Sequence, residues 1–432
     1  MKLSGWGRYP VIESESLAYA DMTNLGALIQ MHQPLIAYGN GRSYGDCALS
    51  RKHIPMQSLN RLLSFDESSG LLICEAGVLL SDIIKIFLPK GWFLKVSPGT
   101  KLITVGGAVA SDVHGKNHHI AGCFSECIEN FDLLIPDGSI LTCSKNENTD
   151  WFHATCGGMG LTGIIVRVGF YLKRVNSQSI NQTIIKTQDL TETFKAFEEN
   201  AHHTYSVAWI DCLAKQEHIG RSLLMLGEFA DDNDLNYQPK QELNIPINFP
   251  SYALNQYTVR LFNCLYYARI RQKTVLKKVG LDTFFYPLDA IKNWNRIYGC
   301  NGFIQYQFIL PKAHSFEGLT AILNKISVSG MGSFLAVLKL YGRANDNWLS
   351  FPIEGYSLAL DFKMQPKLLS FIDELGIVVT KYQGKVYLAK DASVKKEMFD
   401  LEYPKANQFR HFRQKHSLDK HFNSLQSTRL GL

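Results

Sequence analysis

The sequence predicts an α+β protein made of more than one folding unit. Its 432 residues exceed what a single hydrophobic core usually organises, which favours two or three units. Predicted helices and strands are mixed without regular βαβ alternation, which is typical of α+β folds. Near residue 176 the local composition changes: glycine turns become rarer and aromatic residues become more frequent.

The first part of the chain alternates short elements with turns. TNLGALIQMHQ predicts a helix that stops before Pro34, and a short apolar strand then leads into a glycine turn. GLLICEAGV predicts a strand, and LLSDIIKIFLPK predicts an amphipathic helix. NFDLLIPDGSILTCS predicts a hairpin. TDWFHATCGG predicts a helix with Thr149 as its N-cap, and the β-branched run LTGIIVRVGFYLKRV predicts a long strand after it.

The later part of the chain contains a polar stretch followed by strand-like segments. The polar stretch 230–244, ADDNDLNYQPKQELN, predicts an exposed loop. Alternating apolar residues then predict strands in GFIQYQFILP, SFLAVLKLYG and YSLALDF. From about residue 385, GKVYLAKDAS leads into a charged, helical C-terminal segment.

The composition excludes several classes of protein. Hydrophobic residues make up 46% of the chain and charged residues 19%, which indicates a globular protein. The net charge of +6 is spread along the chain, so it fits an anionic ligand or a membrane surface but not a nucleic-acid binder. We expect neither a membrane span nor a secretory signal, because no apolar run is long enough for either. Nine scattered cysteines predict reduced thiols in a cytosolic setting and no metal site.

Two glycine-rich segments carry the strongest functional signal, GNGRSYGD (39–46) and PGTKLITVGGAVASDVHGK (98–116). Each follows a predicted short strand, and glycine turns expose successive N–H groups that bind phosphate oxygens. Two such segments suit the pyrophosphate of a nucleotide-like cofactor, and tight turns between strands are the alternative. GGMGLTG (157–163) matches the dinucleotide-binding fingerprint in letters. However, a helix precedes it and a strand follows it, the reverse of the order that Rossmann binding needs.

Together, GRSYGD, SPGTKLITVGGAVASDVHGKNHHIAGCF, GGMGLTGII, IQYQF, ALDF and VYLAKD resemble, in sequence and in order, the decaprenylphosphoryl-β-D-ribose 2'-oxidase family. These are flavoproteins of the vanillyl-alcohol oxidase type. The resemblance runs from about residue 35 to the end of the chain. It implies a two-lobed α+β flavoenzyme with an FAD-binding lobe, 1–175 and 385–432. An antiparallel-sheet substrate lobe, 176–384, would be inserted between these parts and cover the flavin ring.

Carried over position by position, the resemblance implies FAD contacts at Gly39, Asn40, Gly41, Arg42, Ser43, Tyr44, Gly45, Asp46, Gly99, Thr104, Val105, Gly106, Gly107, Ser111, Asp112, Val113, His114, Ile164 and Tyr387. The glycines would let the backbone wrap the pyrophosphate and the ribityl chain. Superfamily members with a covalent flavin place a histidine in the GxGxS turn, where this chain has Arg42. We therefore expect non-covalent FAD. His114 is the second candidate for attachment, but the family's matching histidine lies near the flavin without bonding it.

The resemblance also implies a reaction. The family oxidises the 2'-hydroxyl of a polyprenyl-phosphate-linked pentose to a keto sugar, and an NAD(P)H-dependent ketoreductase partner completes an epimerisation. Oxidation sends a hydride to the flavin and a proton to a base, and the phosphate needs cations. Family positions near flavin and substrate hold Lys116, Gln305, Gln307, Lys339 and Lys390. We expect Lys390 to orient or deprotonate the hydroxyl and His114 to tune the flavin side, with the identity of the base left open.

Two positions depart from the family. Ala359 stands where the mycobacterial enzymes carry an active-site cysteine, and Ser357 stands where they carry an asparagine. Hydride transfer does not require the cysteine, so these departures bear on substrate identity. A soluble alditol or aldonolactone oxidase of the same superfamily is the main alternative. A flavin-fold binding subunit without catalysis is a second, against which the intact Lys339 and Lys390 argue.

Segment 257–280, YTVRLFNCLYYARIRQKTVLKKVG, interleaves six Lys or Arg residues with one Phe and three Tyr. If helical, it would suit the surface of an anionic membrane. A packed helix with a solvated basic edge is the alternative. We expect the protein to be cytoplasmic or peripheral on the inner-membrane surface.

Overall fold

A computed structural model describes residues 1–239 and 243–432. It confirms the predicted α+β class, since helices and mostly antiparallel strands are mixed along the chain. None of the helices in these two ranges combines the length and the apolar character needed to cross a bilayer.

The strands of the first part of the chain are β1 (Lys2–Ser4), β2 (Val11–Glu13), β3 (Glu15–Ser16), β4 (Ile36–Tyr38), β5 (Lys52–Pro55), β6 (Leu62–Asp66), β7 (Leu71–Glu75), β8 (Trp92–Leu94), β9 (Ile128–Leu134), β10 (Ile140–Cys143) and β11 (Ile164–Arg174). The strands of the later part are β12 (Ser179–Thr187), β13 (Tyr205–Ile210), β14 (Ser222–Phe229), β15 (Leu243–Asn244), β16 (Thr274–Gly280), β17 (Ile291–Lys292), β18 (Phe303–Pro311), β19 (Ala336–Tyr341), β20 (Gly355–Lys363) and β21 (Lys385–Val386).

The helices of the first part are α1 (Met22–Met31), α2 (Leu80–Phe87), α3 (Val105–Ala110), α4 (His118–Ala121) and α5 (Thr149–Thr155). The later helices are α6 (Leu190–Glu199), α7 (Gln256–Ala268), α8 (Leu281–Phe285), α9 (Lys312–Ser329), α10 (Leu368–Lys381), α11 (Lys396–Glu402), α12 (Ala406–Lys415), α13 (Leu418–His421) and α14 (Leu425–Leu430).

The first large sheet is built from the first part of the chain. Its strand order is β10-β9-β11-β7-β6, and β8 pairs with the far end of β11. Helix α2 packs here because Leu80, Ile83, Ile84 and Phe87 recur at helical spacing and are buried. Each such side chain contributes about 1.5–3 kcal/mol on burial. A separate parallel sheet, β3-β5-β4, leads directly into segment 39–46.

The second large sheet has the order β16-β12-β14-β13-β19-β20-β18-β21, and all its pairs are antiparallel. Register pairs Gln305 with Asp361 and Gln307 with Ala359 across β18 and β20, and Lys339 with Ser357 across β19 and β20. Paired and alternate residues of a sheet point to the same side. One face of this sheet therefore presents a row of polar side chains.

The last part of the chain returns to the first. Leu35 donates its N–H to the carbonyl of His421 and accepts one from Asn423. The Arg429 guanidinium pairs with both Asp46 and Asp391, at 2.8 Å in each case. The C-terminal segment therefore holds the base of segment 39–46.

Several local predictions are confirmed, including α1 with β4 after it, α2, the β9–β10 hairpin, and the helix-before-strand order around GGMGLTG.

Three other predictions need correction, and a fourth falls partly outside the described residues. Thr149 is the first residue of α5 rather than its N-cap, because Asn148 precedes it in a left-handed conformation. Segment 257–280 is helical only to Ala268 and ends as the edge strand β16, which pairs with β12. The glycine-rich segment 98–116 contains the helix α3. Residues 240–242 of the predicted loop lie outside the described residues, and β15 follows them.

Candidate active site

The two glycine-rich segments lie against each other. A Cβ on Gly39 would come within 2.6 Å of Thr104 Oγ1, so only glycine permits this approach. The Asn40 side-chain amide donates to the carbonyl of Leu102 at 2.7 Å. Gly41 has φ +61, a left-handed conformation that favours glycine. The structure thus forms one continuous backbone surface from the segments that the sequence singled out.

The two segments differ in the N–H groups they offer. Within the part of the chain that the structure describes, the N–H groups of Asn40, Gly41 and Ser43 donate to no protein atom. The expectation for the second segment needs correction, because its helix start is already satisfied. Val105 donates to Val78, Gly106 to Ala76, and Gly107 to Thr104 Oγ1. Segment 39–46 therefore offers free amides for an anion, whereas the amides at the start of α3 are used within the protein.

Residues 387–391 close the site from a third direction. The Tyr387 hydroxyl donates to the carbonyl of Ser111 at 2.9 Å, and the Tyr44 N–H donates to the carbonyl of Ala389 at 3.1 Å. The Lys390 ammonium lies 3.8 Å from the centre of the Tyr44 ring. Both predicted FAD segments and the predicted catalytic lysine therefore meet in one place.

Other predicted contact residues have their side chains engaged by the protein. The Asp46 carboxylate pairs with Arg429, and the Arg42 guanidinium stacks 4.0 Å from the Trp6 ring. The buried Asp112 carboxylate accepts from Ser125, Asn345, Asn347 and Ser350. Val113 and Ile164 are buried apolar residues. For these five positions the backbone or the apolar surface, rather than a free polar side chain, faces any ligand.

His114 is a buried, neutral histidine. The Gln307 amide nitrogen lies 3.1 Å from its Nε2 and also contacts the hydroxyls of Tyr341 and Ser357. An amide nitrogen only donates, so Nε2 accepts and Nδ1 carries the hydrogen. Burial, then the charge of Lys339, lowers the pKa of His114 well below its usual value. In the described residues Nδ1 has no partner although it is buried.

Lys339 and Lys390 lie near this histidine, Lys116 lies near Lys339, and all three lysines are half-buried. Burial lowers the pKa of Lys339 to about 8 and that of Lys390 to about 7. The pKa of Lys116 lies well below its usual value because of burial and then the charge of Lys339. The Lys116 ammonium donates to the carbonyls of Phe284 and Phe285. Mutual repulsion of these amines would be relieved by a bound anion.

Asp361 belongs to the site, and the sequence reasoning missed it. Its carboxylate accepts from Gln305 at 2.6 Å and from the Tyr298 hydroxyl at 3.2 Å. Burial raises its pKa to about 7, and its charge raises the pKa of Lys390. The two-residue period of YSLALDF places Asp361 on the face of Ala359 and Ser357. That period is the signal that could have identified it.

The residues present fit FAD. The unpartnered Nδ1–H of His114 is a buried donor that lacks an acceptor, and segment 39–46 supplies free amides for phosphate oxygens. A Cβ on Gly99 would meet no atom within 4 Å, so open space adjoins this backbone. Amines that exchange protons near neutral pH, those of Lys339 and Lys390, lie near His114. The arrangement suits removal of a hydride and a proton from an alcohol that carries an anionic group.

Comparison with known proteins agrees with this chemistry. The FAD binding domain family matches residues 25–144. Decaprenylphosphoryl-β-D-ribose oxidase of Mycolicibacterium smegmatis is 35% identical over 451 aligned positions, which cover 100% of this chain and 97% of that protein. An uncharacterised protein of Streptomyces coelicolor is 29% identical over 82% of this chain and its own full length. L-gulonolactone oxidase of Mus musculus is 30% identical over 32% of each chain.

The full-length match and the flavin-binding domain agree with the fold. The cofactor is FAD, and the protein is an oxidoreductase. The chain belongs to the decaprenylphosphoryl-β-D-ribose oxidase family of FAD-dependent enzymes.

Proposed function

We propose that this protein oxidises the 2'-hydroxyl of a polyprenyl-phosphate-linked pentose to a ketone, using FAD. The observation that carries the proposal is a group of amines beside the polar face of the second sheet: Lys339 and Lys390 lie near His114, and Lys116 lies near Lys339. A neutral sugar would not need so many amines, whereas a phosphodiester would neutralise them. FAD, when bound, accepts the hydride from the carbinol carbon.

The proton of the hydroxyl goes to Lys390 in this proposal. A pKa of about 7 leaves much of this amine neutral at physiological pH, so it has a lone pair to accept a proton. Asp361 stabilises the ammonium that forms, because its carboxylate raises the pKa of Lys390. The ketone product thus leaves one proton on the protein and one hydride on the cofactor.

The remaining polar residues have binding and positioning roles. Lys339 and Lys116 would hold the phosphate, whose negative charge would raise the pKa of both amines. His114 would donate through Nδ1 toward the cofactor while Gln307 fixes its ring. Gln305 holds the Asp361 carboxylate in place. His114 as the base is disfavoured, since its ring already accepts a hydrogen bond at Nε2.

The proposal includes the domain organisation, the way FAD is bound, the partner enzyme and the membrane contact. Residues 1–175 and 385–432 would form the FAD-binding lobe, and 176–384 the substrate lobe. FAD would be bound without a covalent bond, because Arg42 replaces the histidine that bonds flavin in relatives. A keto sugar on a lipid carrier requires a reductase to complete an epimerisation, so an NAD(P)H-dependent ketoreductase is the expected partner. A lipid-linked substrate also requires contact with a membrane surface, so a cytoplasmic or peripheral position on the inner-membrane surface is expected.

Anaerobic reduction of the bound flavin tests the proposal. We expect a polyprenylphosphoryl pentose to bleach the flavin absorbance, and free ribose, xylitol or an aldonolactone to bleach it little, because contacts to the phosphate help orient the sugar. Fast bleaching by free alditols or aldonolactones, with the lipid-linked sugar inert, would overturn the proposal in favour of a soluble sugar oxidase.

A further inference from the structure

The outer face of α7 carries a stripe of apolar side chains, Tyr257, Leu261 and Leu265. They recur every four residues, so they line one side of the helix. Their exposed fractions are 72%, 61% and 63%. The opposite side packs on the protein through buried Val259 and Asn263. Contiguous apolar surface that is open to water on a stable helix indicates an interaction surface.

The surroundings of this stripe are basic. Residues 243–281 contain six Lys or Arg residues and no Asp or Glu. Lys273 and Lys278 pair with acidic residues of neighbouring elements, whereas Arg260 and Arg271 are exposed and form no ion pair with the described residues. A second copy of the same surface would bring like charges together. Anionic lipid headgroups around an apolar layer match both the stripe and its charge.

The stripe also lies close to the candidate active site. Phe262 of α7 packs edge-to-face on Phe334 with ring centres 5.5 Å apart, and Phe334 stacks on Tyr298 with ring centres 5.7 Å apart. The Tyr298 hydroxyl reaches the Asp361 carboxylate. A small cavity of about 60 Å³ at the foot of α7 has a mixed lining that includes Gln256, Val259, Phe334, Asp361 and Lys363. A chain of aromatic contacts therefore connects the helix with the polar face of the sheet.

We propose that the outer face of α7 docks on an anionic lipid bilayer. This goes beyond the proposed function and does not rest on it, because docking itself needs no substrate. In the docked state, Leu261 and Leu265 enter the boundary of headgroups and acyl chains, and Arg260 and Arg271 contact the headgroups.

Vesicle sedimentation with the flavin-loaded protein tests the docking. We expect binding to phosphatidylcholine vesicles that contain about 30% phosphatidylglycerol and little binding to pure phosphatidylcholine. The double variant Leu261→Glu/Leu265→Glu should bind at least about tenfold more weakly. Arg260→Gln and Arg271→Gln should each weaken binding about fivefold. Ile377→Glu and Leu401→Glu, at exposed apolar positions of α10 and α11, are the matched controls and should bind like the wild type.

Equal binding by the Leu261→Glu/Leu265→Glu variant, or no preference for the anionic vesicles, would overturn the docking. A wild-type dimer in size-exclusion chromatography that this variant dissolves, with no vesicle binding, would assign the stripe to a second copy. The flavin spectrum and melting temperature should be unchanged in the variants.

A substrate with a short, water-soluble lipid tail separates the docking proposal from the proposed function. If the wild type and the stripe variant oxidise it equally, the proposed function stands whatever the vesicles show.

Discussion

The side-chain amide of Gln305 donates a hydrogen bond of 2.6 Å to the buried carboxylate of Asp361. The two residues are direct partners in the ladder of β18 and β20, so sheet register itself sets this bond. The bond favours the charged carboxylate, yet burial outweighs it and raises the pKa of Asp361 to about 7. The pKa of Lys390 is also about 7. Both groups therefore titrate near neutral pH and influence each other.

Asp361→Asn should move the pH dependence of flavin reduction. The negative charge of Asp361 raises the pKa of Lys390, so its removal lowers that pKa. The amine then becomes neutral at lower pH, and the acidic limb of the rate profile moves to lower pH. Stopped-flow flavin reduction across pH 5–9 measures this, with Asp373→Asn on α10 as the control. An unchanged limb, or one displaced to higher pH, would remove Asp361 from its positioning role.

Lys390→Met should retain FAD and lose most of its rate. The variant keeps most of the length of the side chain but has no amine to accept the hydroxyl proton. Loss of a proton-transfer group slows reactions about 10²–10⁴-fold. Flavin content and single-turnover flavin reduction are the two readouts, and Lys381→Met, an exposed lysine, is the matched control. A rate within tenfold of the wild type would exclude Lys390 as the base.

Binding of the phosphate substrate should weaken as pH rises. The Lys339 ammonium, with a pKa of about 8, is charged below this pH and loses its charge as pH passes through it. A bound phosphate raises that pKa, so the fall appears in kcat/KM, which reports the free enzyme, before it appears in kcat. Lys339→Arg keeps the charge at all these pH values and should abolish the fall. Should the fall persist in Lys339→Arg, another group causes it.

The family's cysteine-capturing benzothiazinone inhibitors should bind this protein only reversibly. Ala359 is partly exposed opposite Gln307 and offers no thiol. Seven of the nine native cysteines are buried, and Cys264 and Cys300 are the exposed ones. Ala359→Cys should gain a single covalent adduct in intact-protein mass spectrometry, and Ala359→Ser should gain none. An adduct on the wild-type chain would contradict the alignment of β20 with the family strand.

Acid precipitation should release the flavin. Arg42 stacks on Trp6 and is not a nucleophile, and His114 is buried with its free nitrogen protonated. Yellow colour in the supernatant, identified as FAD by chromatography, is the expected result. Flavin that stays with the pelleted chain would show a covalent bond, and peptide mapping would then distinguish Arg42-adjacent segments from His114.

Local order was predictable from the sequence where one short segment determines it. Leu80, Ile83, Ile84 and Phe87 specify α2 by their spacing, and Pro136-Asp137-Gly138 specifies the β9–β10 turn. The glycine segments were also predictable as a site, because glycine at Gly39 and Gly41 serves close approach and a left-handed turn.

The remaining features depend on partners far along the chain. The donors of Val105 and Gly106 are satisfied by carbonyls of residues 78 and 76, which no local pattern reveals. Asp361 became part of the site through pairing with Gln305, 56 residues away. Segment 257–280 divides into helix and strand because Thr274–Gly280 pairs with the edge of β12. This pairing is a tertiary contact that the local sequence does not reveal.

The contact between Arg429 and Asp46 has a consequence for biosynthesis. The two residues are separated by 383 positions, so at about 5–20 residues per second the arginine leaves the ribosome about 20–80 s after the aspartate. Until then the turn at Gly39–Asp46 lacks its anchor, and two buried carboxylates, those of Asp46 and Asp391, lack their cation. We therefore expect cofactor capture to follow translation, and a nascent chain that stalls before Arg429 to remain colourless.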